Sequence, residues 1–539
     1  MGGEASRPRP EGLIRGKWGA VSRESLHSPL RACEEIQKTL YSQLPRIAGG
    51  WPWRYNSCMN ALQPIQDAVG SASAAGHSVL FDVGQAPHAT PTPPAGGARP
   101  RLRYANREQV TMRVCALDDL VPEDHPVRMV WEHVDGLDVS PLLAKIQATE
   151  AHAGAPATDP RILMSLWLYA TLRGIGSARE LNRRCDLQYG EVPFQWLCGE
   201  VSLNYHLLAD FRTAHGDFLD RVLTQSVAAL QHEGLVSLER VAQDGIKVRA
   251  SAGASSFRRR PTLEEHLRDA EQQVQTLKAE LEADPGACNR RQQKARERAA
   301  RERHERVQQA LQHMGDIEAR KKPKEKEARG ATSDAEAQVK KPKEKEPRVS
   351  TTDAEARVMK MGDGGFRPAF NAQLATDTAT QIITGVDVSN SGGDQGKMAP
   401  MVHQHEERYA EAPEEFLVDG GFVKKEDIED VSPPNGGTTV YAPVPKPKDP
   451  NRDPHTPRAD DAPAVAEWRQ RMASAEAKEI YKLRASTAEC VNANARNRGL
   501  QQFRVRGLVK VRAVLLWYVL AHNLVRAATL RAQRDSKAK

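Results

Sequence analysis

Three acidic residues set the chemistry this chain can support. Asp244 lies in VAQDGIKVRASAG (241–253), Asp419 in EEFLVDGGF (414–422) and Glu489 in IYKLRASTAECVNANARNRG (480–499). Leu235 to Ala242 is a short apolar and β-branched run that reads as a strand, with Asp244 directly after it and Gly245 beside it. An Asp-Gly pair after a strand is also what a hairpin turn needs, so this pair alone decides nothing. EEFLVDGGF reads as a second strand ending in Asp419, and Glu489 falls on a helical stretch. Carboxylates from two strand ends and one helix supply the hard oxygen ligands that two Mg²⁺ ions need for phosphoryl transfer, with Mn²⁺ able to substitute. Asp244, Asp419 and Glu489 are therefore both the candidate catalytic and the candidate metal-ligating set. Tyr481, Arg484, Arg496 and Arg498 flank Glu489. Their spacing suits phosphate contacts, with Arg484 able to make a bidentate one.

Several segments must position these residues. Residues 1–100 are rich in Gly, Pro, Ala and Ser, and HATPTPPAGGARPR (88–101) is linker-like. We read 1–100 as a disordered leader and linker, with Met59 a candidate alternative start. Residues 101–232 have the texture of short helices. Asp159-Pro160 starts one, Gly174 and Gly176 break it, Ser177 and Glu180 form a capping box, and another begins near Ser202 and carries His206. Exposed Arg179, Arg183, Arg184 and Arg212 make a helix-turn-helix-like DNA reader conceivable. A helical bundle with solvated arginines is the plainer reading.

Leu263, Leu267, Ala270, Val274, Leu277 and Leu281 form a heptad seam. With the Asp284-Pro285-Gly286 turn and a basic second helix, they predict a helical hairpin over 261–320, a coiled-coil dimer being the rival. KKPKEKE then occurs at 321–327 and again at 340–346, and 321–350 reads as disordered because it has too few apolar residues to bury. Order is expected to return at Asp363, with strands at 367–378 and 381–390, a helix over Met398–His405, the Asp419 strand, helix from Ala464 to Glu489, and a last amphipathic helix over Leu508–Leu530. Residues 233–530 thus form one α/β domain interrupted by 261–360, and 531–539 is a basic tail.

Composition narrows the class. At 539 residues two or three domains are expected. The net charge is +7, and from Arg484 to the C-terminus there are twelve Lys/Arg against two acids, which suits a polyanion such as nucleic acid. The seven cysteines (33, 58, 115, 185, 198, 288, 490) include no CxxC pair. This argues against zinc ribbons and disulfide scaffolds and fits reduced thiols in the cytoplasm. No secretory signal pattern opens the chain. Lys510, Arg512, His522 and Arg526 inside the last helix argue against a membrane span.

On QDGIKVRASAG, GFRPAFNAQLATDT, FLVDGGF and YKLRASTAECVNANARNRGLQQFRVRGLVKV, the chain resembles bacterial insertion-sequence transposases of the DDE type over about residues 103–530. The resemblance implies an α/β fold in which an RNase H-like mixed sheet is flanked by helices, with an N-terminal all-α domain and a helical-hairpin insertion. It also implies binding of double-stranded DNA at terminal inverted repeats, a homodimer on paired ends, and Mg²⁺-dependent strand cleavage and transfer. In the superfamily tail signature a Tyr is followed after two residues by Arg, after three more by Glu and after six more by a basic residue. Tyr481 and Arg484 fit, Glu489 comes one residue late, and Arg496 takes the basic place. Glu476 and Glu479 are the rivals for Glu489, and Asp363, Asp387 and Asp394 for Asp419. The RNase H-like strand order favours Asp419, since Asp387 falls on the third strand. A catalytically inactive DNA-binding relative is the competing function.

Overall fold

Asp244 and Gly245 do not end a strand. In the computed structural model they lie in the middle of β1, Arg240–Arg249. The structure describes residues 101–107, 115–150, 154–283, 290–330, 346–433, 436–447 and 451–538. The leader 1–100, the Asp284–Gly286 turn and most of the second KKPKEKE copy lie outside them. Strand β1 continues past the Asp-Gly pair because Val241, Ile246 and Val248 are buried apolar residues along it. Gly245 is needed there because a side chain would collide with its neighbours. A Cβ at Gly245 would come within 2.6 Å of Asp394 Oδ1 and 2.7 Å of Gln373 Nε2.

The remaining sheet strands are β2 (Arg357–Lys360), β3 (Phe366–Asp377), β4 (Ile383–Ser389), β5 (Glu415–Leu417) and β6 (Thr439–Tyr441). β3 runs antiparallel to β1, with Asp244 opposite Leu374, and also pairs antiparallel with β2 and β4. β5 is parallel to β1, and β6 is parallel to β5. The spatial order is β6-β5-β1-β3, with β2 and β4 on β3. The fold is thus mixed α/β with a mixed sheet and many helices.

Helices cover both faces of this sheet. Helix α1 (Pro160–Leu172) is capped by Asp159, whose carboxylate accepts the Arg161 N–H at 2.9 Å. Helices α2 (Tyr205–Ala214) and α3 (Gly216–His232) follow. All three pack on α9 (Leu508–Lys537), which also lies on β4. By length and composition α9 could cross a membrane, yet 72% of its apolar window is buried inside the protein. One hydrophobic core joins the N-terminal helices, one sheet face and α9. A second fills the other face between α6 (Met398–Tyr409) and β5. The hairpin helices are α4 (Arg260–Ala283) and α5 (Arg290–Gly330). Helix α5 continues through the first KKPKEKE copy, which composition alone assigned to disorder. Extending an existing helix needs no new nucleus, and Lys and Glu are good helix formers. Regular structure is present well before Asp363, where the short strand Val349–Ser350 pairs with Phe257–Arg258.

Two buried histidines in these cores make stability depend on pH. Burial lowers His405 to about 4 and His522 to about 3. His405 Nε2 contacts the Thr384 hydroxyl at 2.8 Å, and Nδ1 contacts the Met401 carbonyl at 2.8 Å. The unfolded chain takes up these protons near pH 6.5, so it binds more protons than the native state below that pH. Stability is therefore present above about pH 6.5 and is lost as the pH falls toward 4, by about 3 kcal/mol for His405. His405→Gln should flatten the melting temperature between pH 6.5 and 5 relative to wild type. An unchanged slope would remove His405 from this account.

Candidate active site

The site forms where the centre of β1 meets the helical segment around Glu489. Asp244 Oδ1 accepts the Gly245 N–H at 2.9 Å, and Oδ2 accepts Nδ2 of Asn492 at 2.9 Å. Arg484 lies between two acids, with Nη1 at 3.6 Å from Asp244 Oδ1 and Nη2 at 3.5 Å from Glu489 Oε1. Asp419 follows β5, its Oδ1 accepting the Gly421 N–H at 2.7 Å. Burial pushes the Asp244 carboxyl up to about 6. Asp419 and Glu489 push it the same way, whereas Arg484 and the Gly245 N–H pull it back. Burial works to lower Arg484, but Asp244, Tyr481 and Asp419 outweigh it and hold the guanidinium above its ordinary value. Burial raises the Tyr481 hydroxyl, and the Asp419 and Asp244 charges add to that.

The late position of Glu489 has a structural cause. Helix α7 (Ala475–Arg484) runs into one π-helical turn, Ala485–Glu489, and then into α8 (Cys490–Asn497). Five residues along an α-helix would place Glu489 about 140° around the axis from Arg484. In a π turn the hydrogen bonds span five residues, so the two side chains stack one above the other. The turn packs on β1 and β3. It absorbs the one extra residue seen in the sequence, so Glu489 still faces Asp244. Deleting exposed Ser486 should convert this turn to α-helix, keep Arg484 and Glu489 stacked and leave the protein folded with a loss of no more than about 1–2 kcal/mol. Inserting an alanine after Ser486 should instead turn Glu489 away by about 100°. Equal thermal melting of the deletion and insertion variants would contradict this account.

The rival acids are otherwise engaged or otherwise placed. Asp363 Oδ2 pairs with Arg367 at 2.6 Å, and Glu479 pairs with Lys482 at 2.6 Å. Glu476 is exposed in the first turn of α7. Asp387 stands in β4 opposite Gln373. Asp394 lies over Gly245 and so on the sheet face away from the Asp244 side chain. There its Oδ1 accepts Nδ2 of Asn371 at 2.6 Å and Nε2 of Gln373 at 2.7 Å. Arg496 is exposed on α8, one helical turn past Asn492. Arg498 follows α8, and its charge helps depress His522 of α9. The bond from Asn492 to Asp244 joins residues far apart in the chain, and no sequence spacing signals it.

The acids, Tyr481 and Arg484 thus share one electrostatic site. Among the described residues no group of three or more His, Cys, Asp or Glu is gathered tightly enough to hold a metal ion as the side chains stand. The donor set nonetheless fits a hard divalent cation. It offers carboxylate oxygens alone, the partly buried Asp244 carries like-charged neighbours, and Arg484 is the cation now beside it.

Asp244 at the centre of β1, Asp419 after the adjacent β5 and Glu489 in the helical segment beside them thus surround Arg484. Residues 115–214 match the family described as a transposase domain (DUF772), and residues 448–528 match the family described as a transposase DDE domain. Together the matches support a DDE transposase of an insertion sequence, a family that generally uses a divalent metal. Tyr481, Arg484, Glu489 and Arg496 fall inside the second match, whereas Asp244 and Asp419 precede it. No curated protein and no solved structure matches the chain.

Proposed function

We propose that this transposase binds the terminal inverted repeats of its element and catalyses metal-dependent cleavage and strand transfer there. Asp244, Asp419 and Glu489 are the catalytic acids in this reading. The observation that carries it is Arg484 held between Asp244 and Glu489, residues remote in the chain. The order β6-β5-β1-β3-β4, with the first three strands mutually parallel and the rest antiparallel, supports an RNase H-like sheet. Asp244, Asp419 and Glu489 would hold Mg²⁺, which supplies Lewis acidity to the attacking hydroxyl and the leaving oxygen. Asn492 and the Gly245 N–H orient Asp244. Tyr481, Arg484, Arg496 and Arg498 bind the flanking phosphates. Two protomers would act on paired ends.

The test is incubation of the full chain with a duplex carrying the element's ends, with Mg²⁺ or with EDTA. Cleavage in Mg²⁺ alone supports the proposal. Tight binding of the ends without cleavage in either Mg²⁺ or Mn²⁺ would favour the inactive DNA-binding relative.

A further inference from the structure

The two family-matched segments meet at a pair of glycines. Gly174 has φ +71°, and a Cβ there would lie 3.6 Å from the Arg498 carbonyl oxygen. Gly499 has φ +88°, and a Cβ there would lie 3.1 Å from the Gly174 carbonyl oxygen. Next to this seam the Arg504 side chain runs within 3.7 Å of where a Cβ on Gly176 would be. The Gly176 carbonyl accepts Nη1 of Arg212 at 2.6 Å. The segment 501–503 is bonded to the end of β1, since the Phe503 N–H donates to the Arg249 carbonyl at 2.8 Å. One continuous framework therefore links the Asp244 strand, the loop after α8 and the loop after α1.

Exposed arginines collect on this framework: Arg496 on α8, Arg504 and Arg506 in the loop after it, and Arg179 three residues beyond Gly176. Among the described residues none of these four enters an ion pair with an acid. By contrast, Arg183 pairs with Glu180 at 2.5 Å, Arg367 with Asp363 at 2.6 Å and Arg531 with Glu233 at 2.5 Å. Glu180, the acid next to Arg179, is occupied by Arg183 and Arg184. Arg179 itself lies 4.9 Å from the Tyr205 ring centroid. Like charges that no ion pair offsets repel one another and are relieved by a polyanion. Arg496 is seven residues past Glu489, about 10 Å along a helix, so the strip begins next to the candidate catalytic acids.

We propose that Arg179, Arg504 and Arg506, continuing from Arg496, form a phosphate track on which duplex DNA beside the cleaved strand crosses the seam between the two matched segments. The inference rests on the transposase reading and adds the surface where its DNA lies. Phosphate contacts carry no base information, so binding on this track is independent of base sequence and weakens with salt.

The experiment is binding of the full chain to a 30-base-pair duplex of arbitrary sequence, titrated with salt. The Arg179→Gln/Arg504→Gln/Arg506→Gln variant should bind about tenfold or more weakly near 0.1 M salt and lose about two to three from the slope of log affinity against log salt. The matching Lys variant keeps the charge and should keep the slope, which separates lost contacts from lost folding. An Arg367→Gln/Arg531→Gln variant, at arginines already paired with acids, should leave the slope unchanged. A wild-type slope in the first Gln variant overturns the track while leaving the transposase reading intact. Failure of the wild-type chain to bind any duplex overturns both.

Discussion

Asp244→Asn is expected to lower strand cleavage by on the order of a thousandfold or more while leaving duplex binding nearly unchanged. Asp244 lies at the centre of β1, receives hydrogen bonds from Gly245 and Asn492, and faces Arg484. Asparagine keeps its size but removes the charge that would hold a divalent cation. The same loss is expected for Asp419→Asn and Glu489→Gln, and full cleavage by any of the three would remove that residue from the site.

A second readout separates chemistry from misfolding. The folded Asp244 carboxyl is raised to about 6, so the native state binds more protons than the unfolded chain between about pH 4 and 6. Stability from this group is thus present at low pH and lost as the pH rises through 6, by at most about 3 kcal/mol. Asp244→Asn should therefore melt higher than wild type at pH 7.5 without metal, and the difference should close near pH 4. A variant that is inactive and also less stable at pH 7.5 would contradict this electrostatic account.

The second large effect is on stability. Trp517 is fully buried in α9, and its indole N–H donates to the Arg212 carbonyl at 3.0 Å. Its ring centroid is 6.3 Å from that of Phe211 in α2. Trp517→Ala leaves a cavity and an unpaired carbonyl, which together cost about 3–5 kcal/mol. Because one core runs from the N-terminal helices through α9 to the sheet, thermal unfolding should shift as a single transition. Val509→Ala, at a side chain 79% exposed, should change stability by less than about 0.5 kcal/mol. Separate transitions for the N-terminal helices and the sheet in Trp517→Ala would show that the core is not cooperative.

Much of the architecture was legible before the structure. The strands at 367–378 and 381–390 are observed within a residue or two at most ends, and the strand before Asp419, the hairpin helices and the last helix are all present. These are local patterns, in which apolar periodicity and capping residues report secondary structure directly. The Asp-Gly pair misled because a glycine beside an acid signals a turn in isolation. Here the glycine makes room for Asp394, a residue far along the chain.

Sequence alone determined the order of the elements, the acidic and basic character of the candidate site and the spacing that carries the family resemblance. Tertiary structure decided the rest. The π turn that stacks Glu489 on Arg484, the face on which Asp394 lies, the bond from Asn492 to Asp244 and the glycine seam all depend on how distant segments pack. The physical reason is that side-chain type and periodicity are properties of neighbours along the chain. Convergence in space depends instead on strand register and helix phase, where one residue more or less turns a side chain toward the site or away from it.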